Sequence, residues 1–134
     1  MSYAAAAGLQ AAVYTALAAD TALTALVGSH VYDALPSGPL PGLYVSLGPE
    51  EVRQAGDVLV DGAWHEFTVS VLTDASGFRA AKEAAVAVND ALHDAALPLS
   101  RGTLVSLRFA RARARRDGTV RRIEMTFRAR VENN

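Results

Sequence analysis

The order of periodic segments predicts an α+β domain: an antiparallel sheet of about five strands with helices packed on one face, closing with a long β-hairpin. Three observations carry this expectation. Apolar residues recur at helical spacing in two separate stretches, Leu9 to Leu17 and Phe78 to Leu92. Apolar and polar residues alternate along 43–47, 65–71 and 123–131, as half-buried strands require. Asp117-Gly118 separates two alternating runs, and this dipeptide favours a type I′ hairpin turn. At 134 residues the whole chain, 1–134, fits one domain with one core.

Taken in order, Ser2 is placed to cap the first helix, whose stripe is Leu9, Val13, Ala16 and Leu17. Asp20 reads as the N-cap of a short helix, TALTALV, that Gly28 ends. HVYDAL follows as a short strand, and PSGPLPG is a loop by its proline and glycine content. LYVSLG starts a strand with Leu43, Val45 and Leu47 on one side. The segment Gly48–Ala63 shows no settled period. It is expected to be an extended hairpin tip or a mobile loop, with Val58, Leu59 and Val60 as a small apolar patch. WHEFTVSVLT is the central strand, with His65 among Phe67, Val69 and Val71. Ser76 is placed to cap a helix from about Phe78 to about Ala95, which Pro98 prevents from continuing. In the closing hairpin a two-residue turn at Asp117-Gly118 sets Arg111 opposite Glu124 and Ala112 opposite Ile123. The apolar parity changes along its first strand, so a β-bulge is expected near Phe109-Ala110.

Charge is divided along the chain. Residues 1–100 hold three basic residues against eleven acids, a net −8, whereas residues 101–134 hold ten arginines against three acids, a net +7. The total is only −1. Such polarity points to a charged partner or to copies of the chain packing head to tail. No cysteine is present, which excludes disulfides and thiolate chemistry. No apolar run approaches the ~20 residues of a membrane span, and no membrane partner is expected.

Motifs for catalysis are few. His30, His65 and His93 lie far apart, without a second histidine at helical spacing, so no metal site and no cofactor is expected. His93-Asp94 resembles an acid–base pair but falls at a helix end, where a histidine is favoured by the exposed carbonyls. Glu50 and Glu51 are adjacent loop residues that point apart. An enzyme using His65 or His93 is therefore the weakest of three readings. A nucleic-acid-binding module using RFARARARRDGTVRRIEMTFRAR is the second, although alanines rather than aromatics separate its arginines. A self-associating structural protein is the third, and the charge division favours it.

Particular stretches carry a family resemblance. The opening LQAAVYTALAADTALTALVGSHVYDALP, the strand PLPGLYVSLG, the block HEFTVSVLTDASGFRAAKEAAVAVNDALHDAALPL and the arginine-laced hairpin resemble phage tail completion proteins, the tail terminators of long-tailed phages. Within that family the resemblance is to the version carried by alphaproteobacterial gene transfer agents, phage-derived particles of Rhodobacter and relatives. It implies a non-catalytic virion protein, assembled in the bacterial cytoplasm and placed at the head–tail junction. Its partners would be itself, as a homohexameric ring, the tail-tube protein and the head–tail connector, with DNA only in transit through the channel. The ring would stop tube elongation and provide the docking surface for the connector. Heterologous contacts between neighbours in such a ring would employ Arg111, Arg113, Arg115, Arg122 and Arg130. A loop formed by Glu50, Glu51, Arg53, Asp57, Val58, Leu59, Val60 and Asp61 would reach the adjoining ring.

Overall fold

The computed structural model describes residues 3–56 and 62–132. Helix α1 spans Ala6–Ala19 and α2 Thr21–Val27, strand β1 spans Val31–Tyr32, β2 Leu43–Gln54 and β3 Gly62–Thr73. Helix α3, Arg79–Leu92, leads to β4, Thr103–Asp117, and β5, Val120–Glu132. The strands form one sheet in the order β1-β2-β3-β5-β4. All its pairings are antiparallel except β1 with β2, which is parallel. The sheet is thus mixed rather than wholly antiparallel. The short strand at its edge follows a helix, and the loop from Asp33 to Gly42 carries the chain back to start β2 in the same direction.

All three helices cover one face. Leu9, Val13 and Leu17 of α1, Leu23 and Val27 of α2, and Ala81, Ala84, Val88 and Leu92 of α3 join the core with Val45, Phe67, Val69, Val71, Leu107, Ile123, Met125 and Phe127. Full burial of a leucine or phenylalanine side chain contributes about 1.5–3 kcal/mol. The buried side of α3 is mostly alanine, so its backbone can lie close to the strands beneath. On that face Phe127 is the hub. It stacks on Phe67 at 5.7 Å between ring centroids and meets Phe109 edge-on at 5.9 Å.

Helix ends separate sound local rules from unsound ones. Asp20 caps α2, its carboxylate accepting the Leu23 N–H at 2.9 Å, and Gly28 closes the same helix at φ +60°. Ser2 lies outside the described residues, and α1 begins at Ala6 behind Ala5 with no side-chain cap. Nor does Ser76 cap α3, where Phe78 holds the N-cap position without a side-chain bond. Helix α3 also stops at Leu92, well before Pro98. Asp94 adopts a left-handed backbone, φ +60°, and its N–H turns to the Leu107 carbonyl at 2.7 Å. The tertiary bond to β4, rather than the proline, ends the helix.

The closing hairpin is shifted by two residues from the expected register. Asp117 pairs with Val120, so Gly118 and Thr119 form the turn, and Arg113 rather than Arg111 faces Glu124. Gly118 has φ +62° and Thr119 does not share the positive region, which is the type II′ rather than the type I′ pattern. A shift of two leaves every side chain on its expected face. The register breaks between Phe109 and Arg111, leaving Ala110 as the extra residue. A second break lies between Leu104 and Ser106.

Most of Gly48–Ala63 is strand rather than loop. β2 runs to Gln54 and β3 starts at Gly62, with a bulge between Leu47 and Glu50. The charged residues concealed its strand period because Gly48-Pro49 inserts the bulge and reverses the parity. Asp57, Val58, Leu59, Val60 and Asp61 lie outside the described residues.

His65 is fully buried opposite Ala129 and Val52, and among the described residues neither ring nitrogen has a hydrogen-bond partner. Burial lowers its pKa below the ordinary 6.5, opposed more weakly by the carboxylate of Glu50. A depressed histidine pKa means that the unfolded chain binds the proton more readily. Its contribution to stability is complete above the unfolded pKa and is lost as pH falls from about 6.5 towards the folded value. Thermal unfolding should therefore show a midpoint falling between pH 7 and pH 5, with a slope from this residue of at most about 1.4 kcal/mol per pH unit. In His65→Phe that part of the slope should vanish. An unchanged pH profile in the variant would exclude the buried ring as its source.

Candidate functional site

The uncovered face of the sheet collects the arginines in rows. Pairing across the strands sets Arg53, Trp64, Arg130 and Ser106 side by side, then Glu51, Glu66, Arg128 and Arg108. Beyond the bulge come Ser46, Ser70, Glu124 and Arg113, then Tyr44, Leu72, Arg122 and Arg115. Arg111 lies between, opposite Thr126. Alternation alone puts these side chains together, since residues two apart in a strand share a face.

Part of this charge is answered within the chain. Arg111 reaches over β5 to Glu66 at 3.1 Å. Arg115 lies 3.4 Å from Glu124 and 3.7 Å from Asp117, and Arg122 lies 3.6 Å from the same Asp117. Arg108 faces Asp94 at 3.7 Å. Arg128 covers the ring of Trp64 at 4.2 Å, with Arg130 at 5.6 Å. Gly62 leaves room for this stack, since a Cβ there would approach the Arg130 guanidinium to 3.1 Å and the Val131 carbonyl oxygen to 2.9 Å. Exposed ion pairs of this kind contribute about 0–1 kcal/mol each, so they order the face more than they stabilise it. Arg113 and Arg53 have no ion pair among the described residues.

Of the interface arginines read from the sequence, all five share this face, with Arg111, Arg113 and Arg115 on β4 and Arg122 and Arg130 on β5. The described residues of the group read as an inter-ring loop, Glu50, Glu51 and Arg53, are split between the two sides of β2. Glu51 and Arg53 stand on the arginine face, whereas Glu50 lies on the helix side and accepts a 2.7 Å hydrogen bond from the Tyr3 hydroxyl. That bond and the carboxylate charge raise the Tyr3 pKa. Trp64 escaped the sequence reading, which looked for aromatics only among the arginines of the hairpin. Its signal was its parity, the same as that of Glu66 and Thr68 and opposite to that of His65 and Phe67.

Arg121, His93 and His30 make contacts that hold the fold. Arg121, on the helix side, donates to the Ala75 carbonyl at 2.9 Å and lies 5.6 Å from the Phe78 ring, holding the start of α3. His93 accepts the Phe109 N–H on Nδ1 at 3.0 Å, which assigns its proton to Nε2, 3.4 Å from Asp94. His30 Nδ1 is 2.7 Å from the Tyr32 hydroxyl. Among the described residues no three histidines, aspartates or glutamates are grouped to hold a metal.

Beside β4 on the helix side an open groove of about 430 Å³ is lined by Val86, Phe109, Ala112, Ala114 and Met125, with Lys82 at its rim. Helix α3 does not reach the far half of the hairpin, so this apolar surface stays exposed. A second cleft, between α1 and β2, is lined by Tyr3, Gln10, Asp33 and Glu50.

This architecture, a single sheet with one helix-covered face and one arginine-bearing face, has close counterparts. Among solved structures it matches a chain of a structure described as "Virion of native gene transfer agent (GTA) particle" with a TM-score of 0.94 and 60% sequence identity, covering 98% of this chain and 100% of that one. No match is found among curated proteins. A family profile described as "Tail completion protein gp17" matches residues 11–132, nearly the full length of the sheet and its helices. The chain belongs to the tail completion protein gp17 family.

Proposed function

We propose that this chain is the tail terminator of a gene transfer agent particle, forming a ring that caps the tail tube and receives the head connector. The coarser part follows from the family: it is a structural virion protein of the tail. The 60% identity over 98% of the chain to a component of a gene transfer agent virion carries the finer reading. In this reading six copies form the ring, DNA passes through its channel, and the residues act as binding surfaces rather than catalysts. Arg111, Arg113, Arg115, Arg122 and Arg130 contribute to contacts between neighbours. The β2–β3 hairpin, with Glu50, Glu51 and Arg53 on its β2 arm and residues 57–61 beyond, reaches the adjoining ring.

DNA in transit must slide. Pairing of Arg111, Arg115 and Arg122 with Glu66, Glu124 and Asp117 reduces the positive charge this face offers to phosphates, which favours passage over retention. The purified protein should therefore bind duplex DNA weakly at physiological salt and without sequence preference, as titrated by fluorescence anisotropy. Submicromolar binding with a steep salt slope would support the nucleic-acid module instead.

Assembly provides the decisive test. Particles produced with residues 56–61 replaced by a short Gly-Ser turn should contain a folded protein but fail at the tail end. Electron micrographs are expected to show over-long tubes, uncapped tubes or tails without heads. Normal complete particles would overturn the role given to this hairpin, and normal particles from a strain lacking the chain altogether would overturn the terminator reading.

A further inference from the structure

The sheet ends in two edges that match one another. At one end, among the described residues, β4 has no strand beyond it, and every residue from Arg108 to Asp117 is exposed. Part of that edge is occupied by the end of α3, through the Asp94 N–H to the Leu107 carbonyl and the Phe109 N–H to His93. From Arg111 to Asp117 the described residues provide no such cover. At the other end lies β1, two residues long, with no strand on its far side among the described residues.

These two stretches occupy the same rows. Arg113 pairs with Glu124, which pairs with Ser70, Ser46 and finally Tyr32. The next row joins Ala114, Ile123, Val71, Val45 and Val31. Because β1 is parallel to β2 and β4 runs opposite to it, a second copy that continues the sheet would bring β4 against β1 in antiparallel sense. The same displacement, repeated about an axis along the strands, is a heterologous contact of the kind that closes rings.

We propose that Arg111–Asp117 of β4 in one copy adds edge to edge onto β1 of a second copy, joining the two sheets. The inference rests on the ring reading above and supplies its joint. Charge favours this pairing over its alternatives. The open half of β4 carries Arg111, Arg113, Arg115 and Arg116 against Asp117, while β1 itself carries no charge to oppose it. Two β4 edges meeting each other would set arginines against arginines, and two β1 edges offer too few residues to pair. Apolar surface matches as well, with Val86 and Phe109 exposed by 59% and 39% beside β4, and Leu35 and Leu40 by 53% and 41% in the loop after β1. Arg113, without an ion pair among the described residues, is the side chain that the row places beside Tyr32, whereas Asp33, one residue on, turns to the helix side and accepts a hydrogen bond from Gln10.

The chain has no cysteine, so crosslinks can be placed without competition. In Tyr32→Cys/Arg113→Cys, treatment of the assembled protein and of purified particles with a short bis-maleimide should give a ladder of covalent multimers. Neither single variant should crosslink. Folding of each variant is checked by circular dichroism. Dimers from a single-cysteine variant would overturn the joint in favour of a like-with-like edge. Multi-copy assemblies by light scattering with no ladder would overturn the joint and leave the ring standing. Single copies both in solution and in particles would remove the ring and the joint together.

Discussion

Phe127 lies where three parts of the molecule meet, and its position constrains them all. Its strand, β5, stands between β3 and β4, and its ring stacks on Phe67 of one neighbour and meets Phe109 of the other. The alanines of α3 bring a helix close to the same strands. Because this row is fixed, the parity of β5 is fixed with it. Ile123, Met125, Ala129 and Val131 then face the helices, and Arg122, Glu124, Arg128 and Arg130 must face away. The arginine surface is thus the obligatory reverse of the core.

The same constraint explains what was legible in the sequence. Wherever one face of an element is buried, as in α1, α3, β3 and β5, the period is written in the residues and the faces follow. Asp20 and Gly28 were readable because capping is local chemistry. The parallel pairing of β1, by contrast, depends on two residues and a distant partner, and no local pattern records it. Ser76 looked like a cap because its type is right, but α3 is started by the docking of Phe78 and Arg121. The continuation of β2 was hidden by the bulge at Gly48-Pro49, which interrupts the alternation on which strand reading depends. At the site, the shared face of the five arginines was accessible from parity. Their intramolecular partners were not, since Glu66 and Arg111 are 45 residues apart.

Charge division along a chain and charge exposure in space are different quantities. The net +7 of the last 34 residues suggests a strongly basic surface. Folding places Glu66 from the acidic part beside Arg111, so part of that charge is answered before any partner arrives, while Trp64 fixes the position of Arg128 without removing its charge. What remains for recognition is concentrated at the far half of β4 rather than spread over the sheet.

The clasp at the end of α3 has a further consequence. Asp94 and His93 grip β4 on either side of Arg108, one through a backbone N–H and the other through a ring nitrogen. The strand is therefore registered against the helix directly, independently of the connection that leads from one to the other. Residues 95–102 are relieved of setting where β4 begins. Related chains could lengthen or shorten this connection, and so reshape one end of the subunit, while the hairpin keeps its aim.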